Sequence, residues 1–574
     1  MLSLLYNRAI LFHFIIFFGA MDMARLSNPF LVFGFIYAIP FLIGVIFAEW
    51  TDREFHIHLG WAAISIAYCY IFRFKPLIVL ISLFFVLAAC IDIQYAMIFK
   101  GVFTSSSVEA MEQTNKQEAV EFMASYFDPW AIVTTLIYLV VSLWLLYRLK
   151  CPGLPEKRAY QALSLFFFIV LCGFIVQGLI IKKRYTKLLP GIVGAYPAYF
   201  KGNIYLADEI NERAELVSVY EDFFSNAVSS DQTYVIVIGE ATSRHHMSLY
   251  GYPRNTSPKL SQQKDLIIFD NVISNFVQTL PSLRYTLTLA EPNEVPAFNK
   301  ALSIVDAANI SGFKTFWISN QQPLRGTYSA IGEQADVTTF ISNIYHGREV
   351  GRYDGLILPE YEKALNDKAP KKAIFIHLMG SHLKYTKRYP KAFDQFSGPP
   401  YYAYRESPSA KERFYIDSYD NSILYNDAVV SELLVKLEQA SNDIIAGFNY
   451  MADHGEEVFD TMPFKGHGPD TLTPSSFDIP FLVWVSEAYR QAFPSKIKQL
   501  KENVHKPYMM NDYFFFATDL MNVSTTVLSP EYRMKSLFSS DVNVGDREIY
   551  GNNYDELFNR KRQAPQTQAV ITAQ

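Results

Sequence analysis

Hydrophobic positions are distributed along this chain in two unlike ways. Up to about residue 185 they come in long unbroken runs, and from about residue 231 in short β-branched runs separated by amphipathic stretches. Crossing ~30 Å of hydrocarbon takes ~20 apolar residues at ~1.5 Å rise each. Residues 29–48, 129–147 and 159–181 meet that requirement without a charge, and 76–99 meets it with Asp92 near one end. Residues 59–72 are shorter, with Trp61, Tyr68 and Tyr70 available to anchor an interfacial end. Residues 9–21 form a still shorter run, readable as a further span or as a signal peptide lacking a clean cleavage site. The pattern predicts a transmembrane α-helical bundle of about five spans over residues 1–185.

Loop charges orient these spans through the positive-inside rule. Arg73 and Lys75, and then Arg148, Lys150, Lys157 and Arg158, mark two loops as cytoplasmic, while the acidic loop at 100–128 faces outward. Everything after residue 182 is then placed outside the cytoplasm. Lys182, Lys183, Arg184 and Lys187 run against that rule, unless they meet anionic headgroups on the outer side.

Beyond a linker with helical patches at 186–230, the apolar runs 233–239, 313–319, 373–381 and 444–455 read as buried parallel strands. Helical periodicity fills the intervals, most clearly over 413–440. Strand–helix alternation over 231–558 predicts one α/β domain with a mostly parallel central sheet. Residues 559–574 are polar and aperiodic, and read as a disordered tail.

Composition narrows the function classes. Half of the 574 residues are hydrophobic, 16% are aromatic and 19% charged, which excludes a disordered chain. A formal charge of −5 and a pI near 6.2 exclude nucleic-acid binding driven by bulk positive charge. The four cysteines end at Cys172, so the second half can contain neither a disulfide nor a thiolate nucleophile.

Ligand sites in open α/β sheets form beyond the carboxyl ends of the strands. One predicted strand runs into Gly239-Glu240 and another into Asp453-His454-Gly455-Glu456. A carboxylate from one strand end and an Asp-His pair from another supply an O/N donor set suited to zinc or a similar divalent ion. Taken alone, the tripeptide Asp-His-Gly is more often a simple turn. His377 and His382 sit at the end of a third predicted strand, and His467 is glycine-flanked thirteen residues after His454. Together these residues suggest a metal site with donors arranged around an anion. Thr242, Ser243 and Thr279 are the nearby hydroxyl candidates for a nucleophile. Pro281 suits a helix opening at Thr279, where a helix N-terminus would favour phosphate.

The run GEATSRHHMSLYGYPRNTSP (239–258) resembles the first signature of bacterial phosphoethanolamine transferases, in the alkaline phosphatase and sulfatase superfamily. Further blocks agree in order and spacing: Gln278-Thr279 with Ser282-Leu283, residues 316–322 (FWISNQQ), 377–390 (HLMGSHLKYTKRYP), Tyr419-Asp420-Asn421, 452–457 (ADHGEE) and 479–482 (IPFL). With the membrane half included, the resemblance covers nearly the whole chain.

The resemblance implies an alkaline-phosphatase-like fold and a covalent transfer. Thr279 matches the nucleophile that carries phosphoethanolamine. Glu240, Thr279, Asp453 and His454 match the ligands of one catalytic zinc ion, with a second ion joining during turnover. His382 and His467 match histidines that contact the phosphoryl group. Arg325 falls near a position often held by lysine, Asn320 lies in a matching block, and Thr114 and Glu118 match contacts to the donor headgroup. A further amide-bearing contact of the family falls here on Ala110, a departure from the pattern.

The implied donor is phosphatidylethanolamine in the lipid bilayer, and the implied location is the bacterial inner membrane, multi-pass, with the catalytic domain in the periplasm. Lipopolysaccharide core heptose is the expected acceptor, with lipid A and periplasmic glucan as alternatives. Three stretches carry that preference: the Asn-Gln-Gln run, the KYTKRYP segment and residues 112–115. Phosphoglycerol transfer is the enzymatic rival. A non-catalytic membrane sensor or transporter is the rival of another class, and it would hold no metal. A sulfatase, which needs a formylglycine precursor, is disfavoured by threonine at 279.

Overall fold

The computed structural model describes residues 27–152, 189–203, 217–220, 224–291, 301–321, 327–341, 353–526 and 530–563, apart from single residues and short interior stretches of which 112–125 is the longest. The chain separates into two compact units, residues 1–205 and 206–574.

In the first unit, helices α1 (Pro29–Ala48), α2 (Asp52–Ile71), α3 (Lys75–Phe99) and α4 (Pro129–Arg148) pack around one apolar cluster that includes Phe33, Ile36, Cys69, Phe85, Val86 and Tyr138. Proline at the first helical position, with Asp128 accepting from the backbone N–H groups of Trp130 and Ala131, sets the start of α4. Tyr138 buries its ring against α1 and donates its hydroxyl to Ile36 O at 2.8 Å, so the phenol carries its polar tip into the apolar cluster with a partner. Leu80 and Val140 point outward, 66% and 63% exposed, as lipid-facing side chains should be.

Among the described residues three helices, α1, α3 and α4, are long and apolar enough to cross a membrane, fewer than the five spans expected. The predicted short span at 59–72 is the second half of α2, whose first turn carries Asp52, Arg53 and Glu54 and lowers its hydropathy. The predicted run at 9–21 lies outside the described residues, as does 159–181 apart from residues 169 and 173. A fifth helix, α5 (Gly191–Asn203), occupies part of the predicted linker. Its Ile192 N–H donates to Asp92 of α3 at 2.9 Å.

The second unit is built on a seven-stranded sheet. Its strands are β1 (Gln232–Gly239), β2 (Ile267–Phe269), β3 (Lys314–Ser319), β4 (Val337–Phe340), β5 (Lys371–His377), β6 (Ile445–Ala452) and β7 (Phe481–Val485), in the spatial order β2–β7–β6–β1–β5–β3–β4. Five strands from β6 to β4 run parallel. The sheet is thus mostly parallel, as expected, and mixed only at its other edge, where β7 lies antiparallel to both β6 and β2.

Both faces are covered, which is why these strands read as unbroken apolar runs. Side chains alternate between two cores: Tyr234, Ile236 and Ile238 enter one, and Val235 and Val237 the other. The second core is roofed by α7 (Ala410–Ala440), where Ile416, Tyr419, Ile423, Val430, Leu433 and Leu437 face the sheet. A reciprocal Ser409–Glu412 capping box starts that helix three residues before the predicted 413. A short helix, α6 (Thr279–Thr286), precedes β3. The last helix, α8 (Tyr554–Gln563), continues past residue 558, into the stretch predicted to be a structureless tail.

Candidate active site

Strand register brings the chemistry together. Gly239 at the end of β1 pairs with Ala452 at the end of β6, so the next residues, Glu240 and Asp453, leave the sheet side by side. The β1 neighbour on the other side is β5, with Ile238 opposite His377. Ala241 then takes a left-handed φ of 50°, a conformation costly for a residue with a Cβ. It is held there by its N–H donating to Asp453 Oδ1 at 3.1 Å and its carbonyl accepting from Tyr419 at 2.8 Å. Strain secured from both sides is characteristic of a functional turn.

Thr279 opens α6, and its Oγ1 lies 3.2 and 3.1 Å from the two carboxylate oxygens of Glu240 and 3.4 Å from Nε2 of His454. His454 Nε2 in turn is 3.2 Å from Glu240 Oε1 and 3.5 Å from Asp453 Oδ2. Nδ1 of His454 is within 2.8 Å of the Gly455 carbonyl, which fixes the proton on Nδ1 and leaves Nε2 as a donor atom for a ligand. Glu240, Asp453 and His454 are all fully buried or nearly so, and offer one ligand atom each within 4.8 Å of one another.

The electrostatics of this cluster are those of a cation site. Burial, reinforced by the neighbouring Glu240 carboxylate, pushes Asp453 well above the usual carboxylate range. Burial acts the same way on Glu240, but the His454 imidazole overrides it and holds that carboxylate well below its ordinary value. Burial lowers His454, and the Asp453 and Glu240 charges more than compensate, pushing it up to about 10. Asp453 Oδ2 is buried without a hydrogen-bond donor. Two adjacent carboxylates with an unserved oxygen, a neutralisable imidazole and a hydroxyl fit a tetrahedral zinc-type donor set.

The flanking residues divide into those the structure gathers and those it does not. His467 comes within 4.3 Å of the His454 ring, centroid to centroid. His382 lies on the loop after β5, next to Ser381, whose N–H donates to the Glu240 carbonyl at 2.9 Å. His377, a candidate on sequence grounds, instead ends β5 inside the core against Trp317, and burial lowers it to about 4. The Asn320 side chain is directed to Asp354 at 2.7 Å, and the amide that reaches Glu240 is that of Gln321, at 3.1 Å. Arg325, Thr114 and Glu118 lie outside the described residues. Two buried residues were not singled out from the sequence. Asp354 accepts from Asn320 and from the N–H groups of Met379 and Gly380, and Tyr385 donates to Glu456 at 2.5 Å.

A family model described as Sulfatase matches residues 232–523, and so spans the whole of this site. Phosphoethanolamine transferase EptC of Escherichia coli strain K12 is 30% identical over 494 residues, which cover 80% of this chain and 84% of that one. The chain belongs to the phosphoethanolamine transferases of the sulfatase family. Phosphoethanolamine transferase CptA of Salmonella typhimurium strain LT2 is 29% identical to this transferase, covering 76% of this chain and 78% of its own. Among solved structures, the C-terminal periplasmic domain of E. coli EptC in complex with Zn superposes with a TM-score of 0.52 at 32% identity, covering 58% of this chain and 92% of that one. The integral membrane lipooligosaccharide phosphoethanolamine transferase A of Neisseria meningitidis shares the fold, with a TM-score of 0.58 over 89% of this transferase and 96% of its own chain, at 19% identity. Apolar N-terminal helices make this transferase membrane-anchored.

Proposed function

We propose that this transferase carries phosphoethanolamine from phosphatidylethanolamine to a cell-envelope glycolipid through a covalent phospho-threonine at Thr279. The observation that carries the reading is the position of Thr279 Oγ1 at the opening of α6, within 3.4 Å of Glu240 and His454. Glu240, Thr279, Asp453 and His454 would hold a zinc ion, a reading supported by the zinc complex of the E. coli EptC domain and by the unserved Asp453 oxygen. When bound, the ion supplies Lewis acidity and favours the ionised threonine hydroxyl.

The remaining chemistry falls to side chains. Gln321 donates its side-chain amide to Glu240 Oε2 at 3.1 Å, and Ser282 Oγ donates to the Asp453 carbonyl at 2.6 Å, tying α6 to the end of β6. Thr279 gives up its proton and forms the Oγ1–P bond, while the P–O bond to diacylglycerol breaks. Diacylglycerol takes a proton as it departs, and we assign to the His382 and His467 imidazoles the roles of steadying the phosphoryl oxygens and supplying it. In the second half, an acceptor hydroxyl loses its proton and attacks phosphorus in line, and the Oγ1–P bond breaks to regenerate Thr279.

A bilayer donor gives the apolar helices their purpose, and the loop charges support a multi-pass inner-membrane protein with its catalytic unit in the periplasm. For the acceptor we favour lipopolysaccharide, at a core heptose. The Asn320-Gln321-Gln322 run and the 384–390 segment support it, and so does the absence of cysteine after residue 172.

Intact-protein mass spectrometry of the detergent-solubilised chain, incubated with phosphatidylethanolamine, tests the reading. Wild type is expected to gain the mass of one phosphoethanolamine and Thr279→Ala none. An adduct of equal size on Thr279→Ala would overturn the assignment of the nucleophile.

A further inference from the structure

His467 meets the site with one of its two nitrogens already committed. Nδ1 lies 2.5 Å from Oε2 of Glu456, and the other carboxylate oxygen, Oε1, accepts from the Tyr385 hydroxyl at 2.5 Å. Glu456 and Tyr385 are buried, 0% and 2% exposed, whereas the His467 side chain keeps 23% of its surface open. The three residues come from different segments. Tyr385 lies on the loop after β5, three residues beyond His382. Glu456 follows β6, and His467 leaves the small hairpin formed by Glu457–Val458 and Lys465–Gly466.

A histidine whose Nδ1–H is held by a carboxylate has its tautomer and ring plane fixed, and presents Nε2 alone to a ligand. We infer that Tyr385 and Glu456 form a buried relay that positions His467 toward the transferred phosphoryl group, with Tyr385 acting only through Glu456. The same relay joins the loop of His382 to the loop of His467, so one carboxylate links the two segments that carry these imidazoles. This rests on the reading of His467 as a phosphoryl contact made above.

Glu456 also falls in a second group of potential ligand atoms with His454 and His467. Both of its oxygens are already taken by hydrogen bonds, which favours positioning over metal ligation, and the two roles give opposite results for zinc content.

The test measures the rate of adduct formation on Thr279 in the full chain in detergent, across a range of phosphatidylethanolamine concentrations, with zinc content and Tm measured on the same samples. Glu456→Gln is expected to lower the maximal rate ~10–100-fold, the usual effect of losing a histidine's carboxylate partner. Tyr385→Phe is expected to lower it about 10-fold, as loss of one charge-assisted hydrogen bond does. The half-saturating lipid concentration and the zinc content should stay at wild-type values, and the double variant should be no slower than Glu456→Gln alone. A wild-type rate in Tyr385→Phe, a multiplicative double variant, or zinc lost from either single variant would each overturn the relay. Should Glu456→Gln fail to fold, Tyr385→Phe decides alone. Adduct on wild type with unchanged variants removes only this inference; no adduct on wild type removes the nucleophile assignment and the relay with it.

Discussion

His246 is an imidazole with no access to water and a carboxylate on each side. Its Nδ1 is 2.6 Å from Asp420 and its Nε2 2.8 Å from Asp460, and Asp420 also receives Tyr252 and Arg254. Burial alone would lower it, but the Asp460 and Asp420 charges override that and push it up to about 10. A folded-state value above the unfolded one, near ~6.5, means that the stabilisation is complete below about pH 6.5 and is lost as pH rises through about 10. Asp478 has the opposite sign: burial raises it, yet Arg244 and His245 bring it down to about 2, so its contribution is present above about pH 4 and fades toward pH 2. The Tm of the full chain is therefore expected to fall between pH 7 and 10. His246→Leu should lower stability at pH 7 by about 3–5 kcal/mol, the cost of stranding buried charges, and should flatten that slope. A wild-type Tm that stays level from pH 6 to 10 would contradict this.

Residue-scale legibility in the sequence was uneven for a physical reason. Glu240, Asp453 and His454 follow buried strands directly, and strand register carries them to one place. Asn320 and Gln321 are adjacent beyond β3, and their orientations are set by a turn in which Gln321 N–H donates to Ser319 Oγ at 3.1 Å. Nothing in the order of the two amides foretells that turn. The relay through Glu456 and Tyr385 joins residues 71 apart in sequence and has no local signal at all.

The loop after β5 is the element on which the site leans. Gly380 has φ of 51°, and a Cβ built there would lie 2.5 Å from the Glu240 carbonyl oxygen and 2.7 Å from its nitrogen. Asp354 clamps this loop through two backbone N–H groups, and Ser381 N–H donates to the Glu240 carbonyl at 2.9 Å. Gly380→Ala should therefore displace Glu240 as well as incur ~1–3 kcal/mol of backbone strain. The expected result is a lowered Tm together with loss of metal and of adduct formation. Full metal content in that variant would show that the close approach is dispensable. The parallel strands beside this loop could be predicted, because a strand covered on both faces must be apolar throughout. The reversed direction of β7 could not, because five buried apolar residues read the same either way along the chain. In the first unit, the polar first turn of α2 breaks its apolar run and conceals the full length of the helix.

At the scale of the whole chain, each unit has its own core. The second unit holds two extensive apolar clusters on opposite faces of its sheet, and the corresponding E. coli EptC domain was crystallised as a C-terminal periplasmic domain. Burial on that scale is what lets a domain fold alone. Residues 206–574 expressed alone are therefore expected to fold without detergent and to bind about one zinc per chain, as read by metal analysis. A chelator should lower their Tm, since an ion held only by the folded state stabilises it by mass action. What this fragment should lose is efficient reaction with donor embedded in a bilayer. The first unit carries the helices that are apolar enough to dwell there, and tethering replaces a bimolecular search for lipid with a high local concentration. The comparison is between fragment and full chain, each acting on phosphatidylethanolamine in vesicles and, separately, dispersed in detergent. A deficit of the fragment confined to vesicles assigns the helices to donor access. An equal deficit in detergent would assign them instead to completing the donor site, and undiminished reaction with vesicles would remove them from the reaction altogether.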